Sequence, residues 1–558
     1  MERPWLNEYP DGVPATLDLD PAESVVDVLD RAIERFADRP AFSNLGRTIS
    51  YGEFDALNRR FATWLQSLPG VGPGDRVAIM LPNLLQYPVA LFGAWRAGMV
   101  VVNVNPLYTP PELEHQLNDS GATVLIVLAQ RAGVFAEIQS RVGVRHVLVT
   151  GVGDLLGIPR GVLVNFTMRY LRRMPVAHVP GAVGWSAVQA CRPEDFRVPS
   201  ATTGSDLACL QYTGGTTGRS RGAMLTHANL VANLRQINSW FAGRTNPGRE
   251  IMITPLPLYH VYALMCNCLC YVDTGGHNIL ITDPRNVKGL IAEMRNWKFT
   301  AITGVNTLYQ ALVQHPDITT VDFSTLKLTS AGGMAVMPAT AMRWKEVTGI
   351  MIHEGYGLSE TSPVVTSNPI TLLDYNGSIG LPLPNTIVSL RTDDLTEVPV
   401  GEPGEICVRG PQVMLGYWND SAATAAAMTS DGFLRTGDIA VMDERGYLRI
   451  VDRKKDMIDV SGLKVYPNEI ESAITHHPAV FEAACVGVED PRTGEAVKLF
   501  LVLKPGESLT VDEVRSYLRA SLAPYKIPRQ VEFRDSLPKS NVGKILRREL
   551  RSTGASPA

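Results

Sequence analysis

No apolar run in the chain reaches the roughly 20 residues that a membrane span requires; Val89 to Val104 comes nearest and is broken by Arg96. The opening Met1-Glu2-Arg3-Pro4-Trp5-Leu6-Asn7-Glu8 is acidic and has no apolar core, so it does not read as a signal peptide. Seven cysteines without framework spacing point to reduced thiols in a cytosolic setting rather than to disulfides. Three of them, Cys266, Cys268 and Cys270, alternate within Tyr262 to Val272 and read as small hydrophobes of a core segment in preference to a metal site. A net charge of −4 excludes the basic field of a general nucleic-acid binder. No G-x-x-x-x-G-K-[ST] loop occurs: near Gly543-Lys544, Pro538 stands where the first glycine belongs and Ile545 follows the lysine. There is neither a short internal repeat nor a low-complexity block.

What is present is a globular composition, 45% hydrophobic and 19% charged, over 558 residues. That is too long for one simple core, so two or more domains are expected. The densest feature is Tyr212-Thr213-Gly214-Gly215-Thr216-Thr217-Gly218-Arg219-Ser220-Arg221-Gly222. Glycines let backbone N–H groups close on an anion, hydroxyls add donors and arginines add charge, a set suited to a triphosphate. Leu207 to Tyr212 reads as a short buried strand before it, and Ala223 to Leu230 as the opening of a helix after it.

Elsewhere Ser24 to Phe36 has helical spacing, and a second helix carries Leu57, Phe61 and Leu65 on one face. Buried strands are expected at 76–81, 99–104, 122–128, 250–254, 278–281 and 327–330. Strands alternating with helices imply parallel sheets covered on both faces. Between Asp154 and Glu194 no acidic residue occurs, and a helix over Val162 to Met174 would place Leu163, Phe166, Tyr170 and Met174 on one side and Arg169, Arg172 and Arg173 off it. Packing of that side on the protein itself is the favoured reading, and a peripheral membrane contact through 160–174 is the alternative. The charge run Asp452-Arg453-Lys454-Lys455-Asp456 marks a boundary, giving an N-terminal domain over residues 1–451 and a compact α+β C-terminal domain over residues 452–558. In the latter, helices are expected at 467–476 and 511–520 and strands at 483–488 and 498–503.

Further polar stretches carry chemistry. Glu354-Gly355-Tyr356-Gly357-Leu358-Ser359-Glu360-Thr361 offers Glu360 to a hard cation such as Mg²⁺. Phe433 to Asp438 offers Asp438 as an acceptor for vicinal ribose hydroxyls, and Leu537 to Lys544 puts a lysine on a loop. In this order, from about Ser50 to Lys544, the set resembles the adenylate-forming superfamily of acyl-CoA synthetases, luciferases and peptide-synthetase adenylation domains. Val102 to Leu117 and Pro255-Leu256-Pro257-Leu258-Tyr259-His260 are similar to bacterial long-chain fatty-acid–CoA ligases.

The resemblance implies an α/β fold: a large N-terminal domain of two α/β sheets plus a small distorted β-barrel, and a smaller mobile α+β C-terminal domain with Asp452 near the hinge. It implies ATP and coenzyme A as co-substrates, Mg²⁺ as cofactor, and a medium- or long-chain fatty acid activated as its adenylate. It places Thr213, Gly214, Gly215, Thr216, Thr217, Gly218 and Arg221 at the phosphates, with Glu360 and Thr216 at the metal. Asp438 and Arg453 fall at the ribose; Gly333, Tyr356, Gly357 and Thr361 wall the nucleotide, and His260, Gly304 and Gly332 the acyl pocket. Lys544 bridges carboxylate and α-phosphate, while Ser461, Gly462 and Lys464 serve thioesterification. Catalytic roles thus fall to Lys544, Glu360, Thr216 and His260. The family usually has lysine where Arg221 stands; arginine keeps the charge but is planar and bulkier. A cytoplasmic enzyme, at the inner face of the membrane if 160–174 docks there, is expected; a homodimer is one of the oligomeric states left open. The rivals are a fatty acyl-AMP ligase that loads a carrier protein, and a catalytically silent nucleotide-binding protein. Retention of Ser461 to Pro467 speaks against the first, and of Thr216, Glu360, Asp438 and Lys544 against the second.

Overall fold

The computed structural model describes residues 3–171, 177–199, 202–213, 220–461, 463–539 and 545–552. The chain divides into two compact units: Tyr9–Ile387 with Arg409–Gly432, and Met1–Glu8 with Val388–Val408 and Phe433–Ala558. The boundary read between Val451 and Asp452 falls inside the strand Leu448–Arg453 of the smaller unit.

The larger unit holds two sheets. One runs Val183–Gly184, His146–Thr150, Val124–Leu128, Arg76–Met80, Val100–Asn103, Leu207–Thr213, Arg221–Thr226, parallel throughout except for its last pair. The other has nine strands, with Ile352–Gly357, Leu328–Ala331, Ala301–Gly304, Ile251–Thr254, His277–Leu280 and Pro40–Asn44 as its parallel centre. The central strands Arg76–Met80, Val100–Asn103 and Val124–Leu128 are short runs rich in Val, Ile and Leu and buried on both faces, as parallel sheets covered by helices require. The run around Arg96 is explained by one of the covering helices, Gln86–Arg96, all of whose residues are buried. Arg96 ends it in ion pairs of 2.7 Å to both Asp30 and Asp55, which offset the cost of burying a guanidinium.

Two local expectations are corrected. Ala223 to Leu225 is strand, not helix: Arg221–Thr226 pairs antiparallel with Leu207–Thr213, and the helix His227–Trp240 begins only where Thr226 and Asn229 form a reciprocal cap. The apolar side of the 162–174 segment does not pack on the protein. After the helix Arg160–Phe166 and the wider turn Thr167–Leu171, Leu163 is 65% exposed, Phe166 52%, Tyr170 57% and Leu171 72%; Arg172, Arg173 and Met174 lie outside the described residues.

The three alternating cysteines lie on helical turns between Leu264 and Asp273 with Cys268 and Cys270 buried; burial pushes the Cys266 thiol up to about 12. Among the described residues no helix is long and apolar enough to cross a membrane.

The smaller unit contains the four-stranded sheet Ile387–Arg391, Gly404–Arg409, Leu434–Met442, Leu448–Arg453 and a five-stranded sheet built on the long hairpin Val480–Asp490 with Gly494–Leu503. Helices Pro467–Thr475 and Val511–Arg519 bury Ile470, Ile474, Val514 and Leu518 against that hairpin.

Candidate active site

In the larger unit, Thr213 and Arg221 face each other at the open end of the antiparallel pair, the last register positions before the connecting loop. Gly214, Gly215, Thr216, Thr217 and Gly218 of that loop lie outside the described residues. Its stem is rigid. Tyr212 donates its hydroxyl to Asp119, and a side chain at Gly222 would press on the Tyr212 ring at 3.0 Å. His115 Nε2 lies 2.9 Å from the Ser220 carbonyl oxygen, tying the far side of the loop to the helix Pro110–Ser120.

Packed against both stem strands is the single turn Ser359–Thr361, which carries Glu360. The turn is preset by its neighbours. At Gly357 a Cβ would lie 1.8 Å from the Pro363 carbonyl oxygen, so only glycine lets these backbones pass. The buried Thr361 hydroxyl donates to the Pro363 carbonyl and accepts from the Leu358 N–H at 3.0 Å. Thr361, expected beside the nucleotide, thus has its hydroxyl committed to shaping the turn. Glu360 is half-buried, and its Oε1 accepts from the Tyr417 hydroxyl at 2.8 Å. Among the described residues it has no cationic partner. A carboxylate oriented by a neutral donor suits a hard divalent cation sharing phosphate oxygens.

Gly333 has φ +80° with open space around it, whereas Gly332 sits 3.3 Å, by a would-be Cβ, from the Gly355 carbonyl oxygen and beside the Tyr262 ring. Tyr262 Oη is 3.2 Å from Ser330 Oγ. Gly304 has a packing role: its missing side chain is replaced by the Tyr309 ring, whose hydroxyl donates to the Ser330 carbonyl at 2.7 Å. His260 caps the short helix that follows it, Nδ1 accepting from the Tyr262 N–H at 3.3 Å.

Glu354, on the same strand as Tyr356 and Gly357, is buried and accepts the Val336 N–H at 2.8 Å, and burial pushes its carboxyl up to about 7. A carboxyl raised from about 4.5 in the unfolded chain favours the fold below that value, and the contribution is lost as pH rises through about 7. Glu354→Gln keeps an acceptor for Val336 and has no charge to bury. Its thermal midpoint is therefore expected to exceed that of the parent at pH 8.5 and to match it near pH 4.5. Equal differences at both values would contradict the assignment.

In the smaller unit, Asp438 and Arg453 are register partners on adjacent antiparallel strands, with Nε to Oδ1 at 3.1 Å. Asp438 is 4% exposed, and its N–H donates to Thr436 Oγ1 at 3.1 Å. Arg453 therefore orients the Asp438 carboxylate and offsets its charge. Asp452 is fully buried and accepts the Asn468 N–H at 2.8 Å and the Arg453 N–H at 2.7 Å, with Arg547 at 3.7 Å; burial raises its carboxyl to about 6. Ser461 adopts φ +56° at the turn of the hairpin Ile458–Val460 with Leu463–Val465, where Lys464 is exposed. Gly462 and Lys544 lie outside the described residues.

The structure brings together Thr213, Arg221 and Glu360 in one unit, and Asp438 with Arg453 in the other. Sequence reasoning missed Tyr417, Asp420 and the buried acid Glu354. Tyr417 lies 57 residues from its partner Glu360, and its only local signal is an aromatic pair after a glycine.

The AMP-binding enzyme family profile matches residues 29–418, and the AMP-binding enzyme C-terminal domain matches 469–544. The chain belongs to the AMP-binding, adenylate-forming enzyme family. It is 51% identical to a long-chain-fatty-acid–CoA ligase of Escherichia coli O6:H1, covering 99% of this chain and 98% of the relative. It is 38% identical to one of Bacillus subtilis strain 168, covering 98% of each. ATP-bound MatB from Rhodopseudomonas palustris superposes with a TM-score of 0.82 at 30% identity, covering 95% of this chain and 99% of that one. The anthranilate CoA ligase AuaEII in complex with anthranoyl-AMP gives 0.83 at 26%, covering 96% and 98%.

Proposed function

We infer that the enzyme joins a long-chain fatty acid to coenzyme A through an acyl-adenylate. In the first half-reaction a carboxylate oxygen bonds to the α-phosphorus of ATP and the bond to the bridging oxygen breaks, releasing pyrophosphate. In the second, the coenzyme A sulfur bonds to the acyl carbon, AMP leaves and the thiol proton passes to solvent. The observation that carries the reading is end-to-end identity of 46–51% with curated long-chain ligases. Palmitate and ATP should release pyrophosphate with palmitoyl-CoA formed once coenzyme A is added; adenylate without thioester would support the carrier-loading rival, and no pyrophosphate would refute the activity.

Both reactants of the first step are anions, so catalysis rests on charge neutralisation and positioning. Thr213, Thr216, Thr217 and the loop backbone hold the β- and γ-phosphates, with Arg221 at the base of that loop, and Glu360 with Thr216 would hold Mg²⁺. The metal's contribution when bound is to offset phosphate charge. Asp438 accepts from the ribose hydroxyls, its carboxylate oriented by Arg453. Tyr356 and Gly333 flank the nucleotide, and His260 and Gly332 the acyl channel. The C-terminal domain from Asp452 delivers Lys544 for the first half-reaction and Ser461, Gly462 and Lys464 for the second.

The exposed Leu163, Phe166, Tyr170 and Leu171, beside Arg160 and Arg169, give the enzyme a place to rest on the inner face of the membrane, where its substrate partitions. Each large side chain transferred from water is worth about 1.5–3 kcal/mol. Replacing Leu163, Phe166 and Leu171 by serine is expected to weaken co-sedimentation with anionic phospholipid vesicles at least ~10-fold; unchanged co-sedimentation would remove the membrane contact.

A further inference from the structure

We propose that Tyr417 is a positioning residue for Glu360, and that the Arg221–Asp420 ion pair positions Tyr417. The inference rests on the Mg²⁺·ATP reading of Glu360 above. Tyr417 Oη is the carboxylate's hydrogen-bond donor among the described residues, at 2.8 Å, and the Glu360 carbonyl accepts the Met414 N–H at 2.8 Å. Tyr417 is itself held by the stem of the phosphate loop. Leu415 N–H donates to the Met224 carbonyl at 3.0 Å, Met224 N–H to Gly416 at 2.9 Å and Trp418 N–H to Gly222 at 2.8 Å. The segment thus lies along the strand Arg221–Thr226 as a further antiparallel bridge, Ala223 opposite Tyr417.

Arg221, the first residue of that strand, projects over the Tyr417 ring, its guanidinium carbon 5.8 Å from the centroid. Its Nε is 3.0 Å from Asp420 Oδ2, while Asp420 Oδ1 caps the following helix through the Ala423 N–H at 2.8 Å. The division of labour is chemical. A cation paired directly to Glu360 would cancel the charge a metal needs, whereas a phenol orients the carboxylate and leaves the charge in place. Asp420 engages Arg221 through its Nε and so holds the cation over the ring. Arginine at the family's usual lysine position is in this chain part of the scaffold of the metal carboxylate.

The test uses the full-length enzyme and reads binding as well as rate: Mn²⁺ paramagnetic resonance with a non-hydrolysable ATP analogue gives the affinity of the metal–nucleotide complex. Tyr417→Phe is expected to weaken that affinity about 10-fold, the scale of a hydrogen bond to a charged group, and to raise the Mg²⁺ concentration for half-maximal adenylate formation in step. The KM for coenzyme A and the thermal midpoint should stay unchanged. Arg221→Lys should fall within about 3-fold of the parent, and Arg221→Met should match Tyr417→Phe. The double variant Tyr417→Phe with Arg221→Met should be no weaker than either single variant, because both act through one ring. Additive losses would mean that Arg221 acts on phosphate independently and would overturn its positioning role. Unaltered Mn²⁺·nucleotide affinity in Tyr417→Phe would overturn the role of Tyr417. Glu360→Gln separates the two levels: if it leaves the affinity unchanged, the metal reading itself fails and the inference falls with it. If Glu360→Gln weakens binding and Tyr417→Phe does not, only the inference fails.

Discussion

Lys544→Ala is expected to lose adenylate formation by about 10²–10³-fold, the usual cost of deleting one preorganised charge contact, while supplied palmitoyl-adenylate still reacts with coenzyme A. The asymmetry follows from the charges. In the first half-reaction a carboxylate must approach a triphosphate, and in the proposed role Lys544 would bridge carboxylate and α-phosphate oxygens and offset the repulsion where it is greatest. In the second half-reaction the thiol meets an acyl carbon already activated by its AMP leaving group, and no anion–anion approach needs that ammonium. Pyrophosphate–ATP exchange measures the first step alone, and thioester formation from added adenylate measures the second. Equal loss in both would reassign Lys544 to folding or to coenzyme A.

Removal of Asp438, the proposed ribose acceptor, comes next in size. Asp438→Ala deletes a buried carboxylate and leaves Arg453 without its 3.1 Å partner. Loss of kcat/KM for ATP by about 10²-fold is expected, since a buried hydrogen-bonding site left unpaired is costly. The decisive comparison is with 2′,3′-dideoxy-ATP. The parent enzyme should discriminate strongly against it, and Asp438→Ala should use the two nucleotides almost equally. If the variant still preferred the hydroxylated nucleotide by the parent's ratio, Asp438 would not contact the ribose and its role would be confined to orienting Arg453.

How much of the fold and the site is legible in the sequence depends on how local each cause is. Arg76–Met80, Val124–Leu128 and Leu328–Ala331 are buried runs bounded by turns, and composition locates each to within two residues because burial on both faces leaves its mark there. The strand Arg221–Thr226 resembles the start of a helix in sequence because what makes it a strand is its pairing to Leu207–Thr213 across the glycine-rich loop. Leu163, Phe166 and Tyr170 have amphipathic spacing, but spacing identifies an apolar side without saying what covers it. Glu360 and Asp438 are visible as polar residues among turn glycines. Their partners divide differently: Arg453 lies in a charge run, whereas Tyr417 is bound to Glu360 by a contact that leaves no periodic trace.

The antiparallel strand that ends the seven-stranded sheet has a consequence for how the chain can be cut. Its outer margin is not open to solvent pairing, because 415–418 lies along it and takes up its N–H and carbonyl groups. A fragment stopping short of Leu415 would present that margin bare, a template on which copies could stack through their main chains. Any soluble, separately expressed piece of the larger unit must therefore carry the chain past Trp418, even though the sheet's own strands end with Thr226.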